Sequence, residues 1–428
     1  MIFFFYFFAG ILVLLSIRSL LGGFEYLRFF KTELAKPRSA FTPFVTVIAP
    51  CRGLDPDLEA NLEALFDLEY PEYEIIFVVD DGNDPAADVI RGIINRRDAE
   101  TLRGRDRESD PAVTSFFSAS PRLRGENNPT AELIIADKTK TSSQKVENLR
   151  EAVLHASPGS QAFVFVDSDA RPSRDWLRSL VAPLADKNVG ASTGYRWFIA
   201  KKPTFASELR SVWNASIASA LGPNTSSNFC WGGSMAIRRD TFESLKMRDR
   251  WEGTLSDDFA VTRAMNEADL PILFVPQALT ASVEDCRFSG MMEFTTRQMK
   301  ITRVYATPLW LLSFFGSALF NAVMIASFLI VVFARQNGFP VYASLATLFI
   351  VTICSTGKAL LRSNAVKLVL TDHHDALQKQ GWTQNTLWIV SPAIYLYNCI
   401  AALVSRRMKW RGTVYELKSP TETVIIAD

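Results

Sequence analysis

Residues 2–21 are almost wholly apolar, broken by a single charge at Arg18. About 20 such residues make a helix as long as the hydrocarbon core of a bilayer is thick. No small-residue cleavage site is evident, and Arg28, Lys31, Lys36 and Arg38 come directly after. The segment 1–22 therefore predicts a retained N-terminal anchor, with the residues after it on the cytoplasmic side. Three more apolar stretches, 308–334, 339–361 and 386–404, predict further membrane helices ahead of a polar tail at 405–428. The connection between the last two carries Arg362, Lys367 and Lys379, with Lys358 just before it, and predicts a cytoplasmic face. The short connection at 336–338 suits the far side. Alternation then carries the C-terminus across, whereas Arg406, Arg407, Lys409 and Arg411 argue against it. The last stretch reads as a span, a re-entrant segment or an interfacial helix.

Between 43 and 307 the pattern changes to short apolar runs separated by helical periodicity, which predicts an α/β domain. Residues 44–49 (FVTVIA) and 74–79 (EIIFVV) read as buried parallel strands, with Leu58, Leu62, Leu65 and Phe66 at helical spacing between them. Residues 133–136 and 162–166 (AFVFV) continue the series. The polar stretch 96–129, with scattered Gly and Pro, predicts a surface loop insertion. Residues 203–221 are amphipathic, with Phe205, Leu209, Val212, Trp213 and Ile217 as the apolar positions. That pattern fits a helix on the membrane surface or one packed on the sheet.

Composition narrows the chemistry. Among 428 residues, 46 basic and 45 acidic side chains leave a formal charge of +1, which points away from a nucleic-acid partner. Hydrophobic residues make up 48%, with 31 phenylalanines, more than a plain soluble domain carries. Five cysteines form no Cys-x-x-Cys pair, so neither a zinc site nor a disulfide framework is indicated. Only His155, His373 and His374 are available to a histidine-based centre, which leaves carboxylates as the candidate catalytic groups.

Three acidic clusters stand where such a fold exposes its ligand crevice, past the carboxyl ends of strands. They are Asp80-Asp81 after FVV, Asp167-Ser168-Asp169 after VFV, and Asp257-Asp258 after Leu255-Ser256. Asp-x-Asp at a strand end brings Asp167 and Asp169 close enough to share a divalent cation. Hard oxygen ligands suit Mg²⁺ or Mn²⁺, which bind through one or two carboxylates plus substrate phosphates. Asp258 has the setting of a general base. Ser256-Asp257-Asp258 also has the form of a helix N-terminus. Both readings hold together if Asp257 caps and Asp258 reaches the cleft. Lys145, Arg297, Lys300 and Arg303 are candidate diphosphate partners, each equally readable as a solvated cation.

With these residues the chain resembles the ceramide glucosyltransferases, a branch of the family-2-like inverting glycosyltransferases with a GT-A fold. The resemblance is carried by Gly53-Leu54-Asp55-Pro56, Asn61-Leu62-Glu63, Tyr70-Pro71-Glu72-Tyr73-Glu74, and Asp81 with Asp84-Pro85. Further on come Lys145-Val146, Asn148-Leu149, Asp167-Ser168, Asp258 and the tail Trp410-Arg411. It implies a GT-A domain over 43–307, membrane helices over 308–404, and a multi-pass membrane enzyme with its catalytic domain in the cytosol. It also implies that Asp81, with Asp80 beside it, contacts the uridine, that Asp167 and Asp169 serve the metal-diphosphate, and that Asp258 is the base. Implied partners are a UDP-sugar donor and a membrane lipid acceptor, with UDP-glucose and ceramide foremost and hopanoid, sterol or diacylglycerol as the alternative acceptors. The chain departs from the family at two points. The motif Gln/Arg-x-x-Arg-Trp is here Arg297-Gln298-Met299-Lys300-Ile301, so a point charge replaces a bidentate fork and no aromatic face follows. Thr193 stands where animal enzymes carry His.

Rivals from other classes fit less of the chain. A processive polysaccharide synthase lacks the Trp of its product-binding motif. A haloacid-dehalogenase-type lipid phosphatase also uses Asp-x-Asp with Mg²⁺, but it needs Thr or Val two residues beyond Asp169, where Arg171 sits. A non-catalytic scaffold gives three acidic clusters no reason to converge.

Overall fold

The structure is a computed structural model that describes residues 2–108, 129–334 and 338–427. The first half of the chain runs α1 (Ile2–Leu34), β1 (Val45–Pro50), α2 (Leu58–Glu63), β2 (Tyr73–Val79), α3 (Pro85–Glu108), β3 (Thr130–Ile135), α4 (Gln144–His155) and β4 (Ala162–Val166). Next come α5 (Trp176–Val181), β5 (Ala191–Thr193), β6 (Arg196–Ile199), α6 (Phe205–Ala218), β7 (Ser234–Arg238), α7 (Arg239–Ser244), α8 (Met247–Arg250), α9 (Asp257–Glu267), β8 (Ile272–Phe274) and β9 (Thr280–Val283). The remainder is α10 (Phe288–Tyr305), α11 (Thr307–Phe333), α12 (Phe339–Lys367), α13 (His374–Lys379), α14 (Gly381–Thr386), α15 (Ser391–Val404), β10 (Arg407–Trp410), β11 (Thr413–Ser419) and β12 (Glu422–Ala427).

These elements form two compact units, one of residues 37–196 and 229–280, the other of 1–36, 197–228 and 281–428. The linear boundaries read from the sequence are therefore interleaved: 197–228 and 281–307 group with the apolar helices, not with the sheet.

The first unit is built on a seven-stranded sheet in the order β3-β2-β1-β4-β7-β5-β8. The pairs β2–β3, β1–β2, β1–β4 and β5–β8 are parallel, and β7 runs antiparallel to both β4 and β5. Central strands β1 and β4 are buried at every position, as continuous apolar runs are when both faces are covered. Edge strand β3 alternates instead. Ile48, Ile76, Phe163 and Phe165 of the strands pack with Val146 and Leu149 of α4 and with Trp251 and Val261. The chain adds β2 and β3 on one side of β1, then returns to place β4 on the other. That reversal opens a crevice at the carboxyl ends of β1 and β4.

Two expectations need correction in this unit. Residues 96–108 of the stretch read as a loop belong to α3; 109–128 lie outside the described residues. Polarity suggested a loop, but Arg, Ala, Glu and Leu are strong helix formers and an exposed helix needs little apolar surface. Arg96 on that helix meets Glu59 and Glu63 of α2 at 2.6 and 2.9 Å. The Asp257-Asp258 cluster is preceded by no strand and instead opens α9.

In the second unit, α1, α11 and α12 carry windows of mean hydropathy 2.1, 2.2 and 1.7, long and apolar enough to cross a membrane. The helical pieces 381–389 and 391–404 meet at a 57° bend. Pro392 lies in the first turn of α15, just past that bend, where it has no N–H to continue the hydrogen bonding of the preceding helical piece. Ala9, Leu12, Val323, Met324 and Val351 form the packed seam of α1, α11 and α12, while Phe3, Phe7, Leu14, Phe315, Phe328 and Phe349 point outward and exposed. Bare aromatic and aliphatic side chains on helices of this length suit lipid. The predicted anchor extends past residue 22, since nothing before Leu34 interrupts α1. The described residues stop short of the connection at 336.

Helix α6 is placed chiefly against other helices, with Ser211 donating to the Phe198 carbonyl of β6 at 2.8 Å. It is buried along most of its length, packs against α10 and α14, and its Trp213 stacks on Tyr395 at 4.8 Å. The tail read simply as polar is the antiparallel sheet β10-β11-β12. Its first hairpin turns at Arg411 and Gly412, with φ of 51° and 94°, the left-handed pair of a tight hairpin turn. Alternating burial along β11 shows the period-two pattern that the high charge obscured.

Candidate active site

The site grows from the end of β4, where the buried run AFVFV gives way to Asp167-Ser168-Asp169. Asp167 sits between two cations: Oδ1 lies 2.7 Å from Lys145 Nζ and Oδ2 lies 3.1 Å from the Arg196 guanidinium. The same guanidinium reaches Asp169 Oδ2 at 2.8 Å and lies 4.7 Å over the Trp231 ring. Lys145 stands in the first turn of α4, whose N-cap Ser143 accepts from the Val146 amide at 3.2 Å. A helix start disfavours a cation. Lys145 is held there by Asp167 and by Asp257, whose Oδ1 is 3.1 Å away.

Asp257 is the first residue of α9 and is 2% exposed. Burial raises its carboxyl to about 6 against the pull of Lys145, with Asp258 and Asp167 adding to the rise. Burial works against the charge of Lys145 too, but Asp167, Asp257 and Asp258 outweigh it and hold the amine above the ordinary lysine range. Asp258, next along the helix, makes no ion pair among the described residues. Its Oδ1 accepts from the Ser256 hydroxyl and, at 2.7 Å, from the Phe259 amide; Gly232 N–H approaches Oδ2 at 3.4 Å. The expected division of labour is thus altered: Asp257 is locked to a lysine, and Ser256 binds Asp258 instead of capping the backbone.

Gly232 and Gly233 form the floor of this cluster. A Cβ on Gly232 would lie 2.1 Å from Asp257 Oδ2 and 2.8 Å from Lys145 Nζ; one on Gly233 would lie 2.7 Å from Asp167 Oδ2. Thr193, at the end of β5, accepts from the Trp231 amide at 3.0 Å and so positions the ring beneath Arg196.

Loops beyond β1, β2 and β4 are tied together at the same end of the sheet. Ser168 donates to Asp55 at 2.6 Å, Asn61 donates to the Ser168 carbonyl at 3.2 Å, and the Gly53 amide donates to Asp84 at 2.9 Å. Asp80 is buried and Asp81 exposed at the end of β2, where Asp81 accepts from the Asn83 amide at 2.9 Å. Two strand spacings, about 10 Å, separate β2 from β4.

Arg297 and Lys300 lie on α10 of the other unit. There Lys300 donates to the Arg407 carbonyl, and the Arg297 guanidinium lies 5.7 and 5.4 Å from the rings of Phe294 and Trp410. An aromatic face thus stands beside Arg297 although Ile301 supplies none. Arg303 of the same helix donates to the Ala402 and Leu403 carbonyls. Sequence reasoning missed Arg196 and Trp231, and read Ser256 only as part of a helix N-terminus. The Gly232-Gly233 pair ahead of β7 was the available signal, and Arg196 had none.

No group of three or more His, Cys, Asp or Glu among the described residues is arranged to enclose a metal on its own. The cluster nevertheless suits a divalent ion shared with a diphosphate. Three carboxylates, Asp167, Asp169 and Asp257, meet two cations, and the buried oxygens Asp169 Oδ1 and Asp257 Oδ2 accept no hydrogen bond. All the donors are hard oxygens.

Residues 11–104 and 104–423 match glycosyl transferase family 21. The ceramide glucosyltransferase of Komagataella phaffii is 32% identical over 105 residues, 24% of this chain and 20% of that protein. That of Candida albicans is 44% identical over 85 residues, 18% of this chain and 16% of that protein. The chain thus spans a fifth or less of the length of these relatives. Among solved structures, the mannosyltransferase PcManGT of Pyrobaculum calidifontis, in complex with GDP-Man and Mn²⁺, is 19% identical with a TM-score of 0.42, covering 93% of this chain and 98% of that one. GalNAc-T7 with UDP, GalNAc and Mn²⁺ is 13% identical with a TM-score of 0.38, covering 58% and 44%. The α/β class with apolar spanning helices and the family read from the motifs both stand: the chain belongs to glycosyl transferase family 21.

Proposed function

We propose that this chain is an inverting glycosyltransferase that moves glucose from UDP-glucose to the primary hydroxyl of ceramide or a ceramide-like lipid, giving a β-glycoside. The observation that carries the reading is one cluster with two kinds of carboxylate. Asp167 and Asp169 are braced by Lys145 and Arg196, while Asp258 beside them makes no ion pair among the described residues.

Asp167 and Asp169 would hold Mg²⁺ or Mn²⁺, which supplies charge neutralisation for a departing diphosphate. Lys145 and Arg196 add positive charge on the same side and keep both carboxylates in position. Asp80 and Asp81 fit the uridine end of the donor, and Arg297 and Lys300 are assigned to the diphosphate. The acceptor oxygen bonds to the anomeric carbon as the bond to the diphosphate breaks, and the hydroxyl proton passes to Asp258. One displacement with no enzyme nucleophile inverts the α-linked donor.

Mass spectrometry of lipids formed from labelled UDP-glucose tests this reading, with UDP-galactose and UDP-N-acetylglucosamine as donor controls. Ceramide, a hopanoid, a sterol and diacylglycerol serve as acceptors. A labelled β-hexosylceramide is the expected product, and an α-anomer or release of phosphate alone overturns the assignment. Two neighbouring carboxylates hold a divalent ion weakly without the nucleotide. Activity should therefore vanish in excess EDTA and return with either Mg²⁺ or Mn²⁺; full turnover in the chelator removes the metal role.

Orientation has its own check. Asn214-Ala215-Ser216 and Asn224-Thr225-Ser226 match the glycosylation sequon. Asn214 is buried within α6, so only the exposed Asn224 is informative. With the catalytic domain facing the cytosol, where nucleotide sugars are made, Asn224 stays unmodified on expression in a eukaryotic cell. A glycan at Asn224 would put it on the opposite face.

A further inference from the structure

Helices α1 and α12 run side by side in the same direction. Tyr6 and Phe339 meet ring to ring at 5.3 Å near their starts. Further along, a Cβ on Gly357 would lie 2.9 Å from Leu20 and one on Gly23 would lie 3.2 Å from Leu361. At this close approach, beside Ser219 after α6, a cavity of about 310 Å³ is lined by Leu15, Arg18, Ser19, Tyr26, Lys358 and Arg362. Three of its lining residues are cations and none is acidic.

Arg362 is 5% exposed; one of its terminal nitrogens donates to Gln384 at 3.3 Å, and its Nε has no hydrogen-bond partner. The Tyr26 hydroxyl, on a residue 4% exposed, also lacks a partner. Among the described residues no carboxylate pairs with Arg18, Lys358 or Arg362. A guanidinium buried without a counter-charge is unfavourable, and Lys358 one turn away adds a second like charge. An anion in the cavity removes that cost.

Depth identifies the anion's source. From Phe339 to Lys358 α12 rises about 28 Å at ~1.5 Å per residue, close to the ~30 Å of a hydrocarbon core. The cations therefore lie at the level of lipid headgroups, and basic pockets between membrane helices suit anionic headgroups there. We propose that this cavity binds the phosphate of an anionic membrane phospholipid, with Arg362 and Lys358 on the phosphate oxygens and the Tyr26 hydroxyl as a further donor. A ceramide acceptor carries no charge and calls for no such set of cations, so the inference stands apart from the sugar-transfer reading.

The test uses the full chain in a non-ionic detergent, followed by its thermal unfolding midpoint as phosphatidylglycerol, diacylglycerol or inorganic phosphate is added. Phosphatidylglycerol should raise the midpoint saturably and diacylglycerol should not. In Lys358→Gln and Arg362→Gln the half-saturating concentration should rise at least about ten-fold, since each loses a charge-assisted phosphate contact. Native mass spectrometry of the wild-type chain should show one retained phospholipid, which keeps the proposal testable if Arg362→Gln does not fold. Equal shifts with diacylglycerol, equal lipid dependence in both variants, or no shift at all would overturn it. A shift from inorganic phosphate alone, lost in the variants, would make the site one for free phosphate and overturn the lipid assignment.

Discussion

Replacing Asp258 with asparagine is expected to lower turnover by about 10²–10⁴-fold, the usual contribution of a general base, while UDP-sugar binding persists. Asparagine keeps the shape of the side chain and can still accept from the Phe259 amide, now 2.7 Å from Asp258 Oδ1. It cannot take a proton. The other carboxylates of the cluster are poor substitutes, because Asp167 and Asp257 each lie within 3.1 Å of Lys145 Nζ and Asp169 is paired with Arg196. Asp167 and Asp169 have oxygens engaged by those cations, and Asp257, only 2% exposed, is shielded from an acceptor hydroxyl. Asp167→Asn should behave differently, weakening donor binding through the metal. Turnover from single-turnover kinetics, set beside donor affinity from calorimetry, separates the two. Near-normal turnover in Asp258→Asn would move the role to Asp257 or Glu252.

Lys145→Met is expected to destabilise the sheet unit by roughly 3 kcal/mol at pH 8, the scale for breaking a buried ion pair. Methionine fills a similar volume but leaves Asp257 buried with no cation, while Asp167 keeps Arg196. The deficit should depend on pH, and the sign is set by Asp257. Its folded carboxyl already stands at about 6, above the roughly 3.9 of an unfolded chain. A raised carboxyl contributes stability that is complete below the unfolded value and is lost as pH climbs through the folded one. Removing Lys145, which pulls that value down, moves the loss to still higher pH. The gap between variant and parent should therefore be widest at pH 8 and narrow toward pH 4–5. Thermal unfolding midpoints across this range measure it. Equal midpoints at pH 8 would mean that Lys145 does not hold the cluster together.

Strands β1, β2 and β4 were legible because each is a short, largely apolar run buried on both faces, and the polar Thr46 and Glu74 near the starts of β1 and β2 barely blur the pattern. Asp167-Ser168-Asp169 was legible for the related reason that charge cannot continue inside such a run, so it marks the strand's end. Charge also misled. It made the second half of α3 look like a loop and the final sheet look like a plain tail. The helix owes its regularity to backbone hydrogen bonding and helix propensity, and the period-two apolar positions of β11 are interleaved with charged and polar ones that hide them.

Arg196 shows what local pattern cannot carry. It lies 27 residues from Asp169 in sequence, counted from the two positions, and reaches it only because β5 and β7 bring the chain back past the end of β4. Asp257 and Asp258 are adjacent and chemically identical, so no local rule separates the salt-bridged one from the unpaired one. The first turn of α9 places one carboxyl against Lys145 and the other beside Ser256 and Gly232. The grouping of α6 and α10 with the apolar helices has the same cause, since an amphipathic stripe states that it will be buried but not against what. Hydrophobic period and strand-end acids, which are properties of a few neighbouring residues, thus determined the first four strands of the sheet, the apolar helices and the family of the chemistry. Which cation meets which carboxylate was decided by packing, because electrostatic pairing depends on distance in space and the chain sets that distance only when it folds.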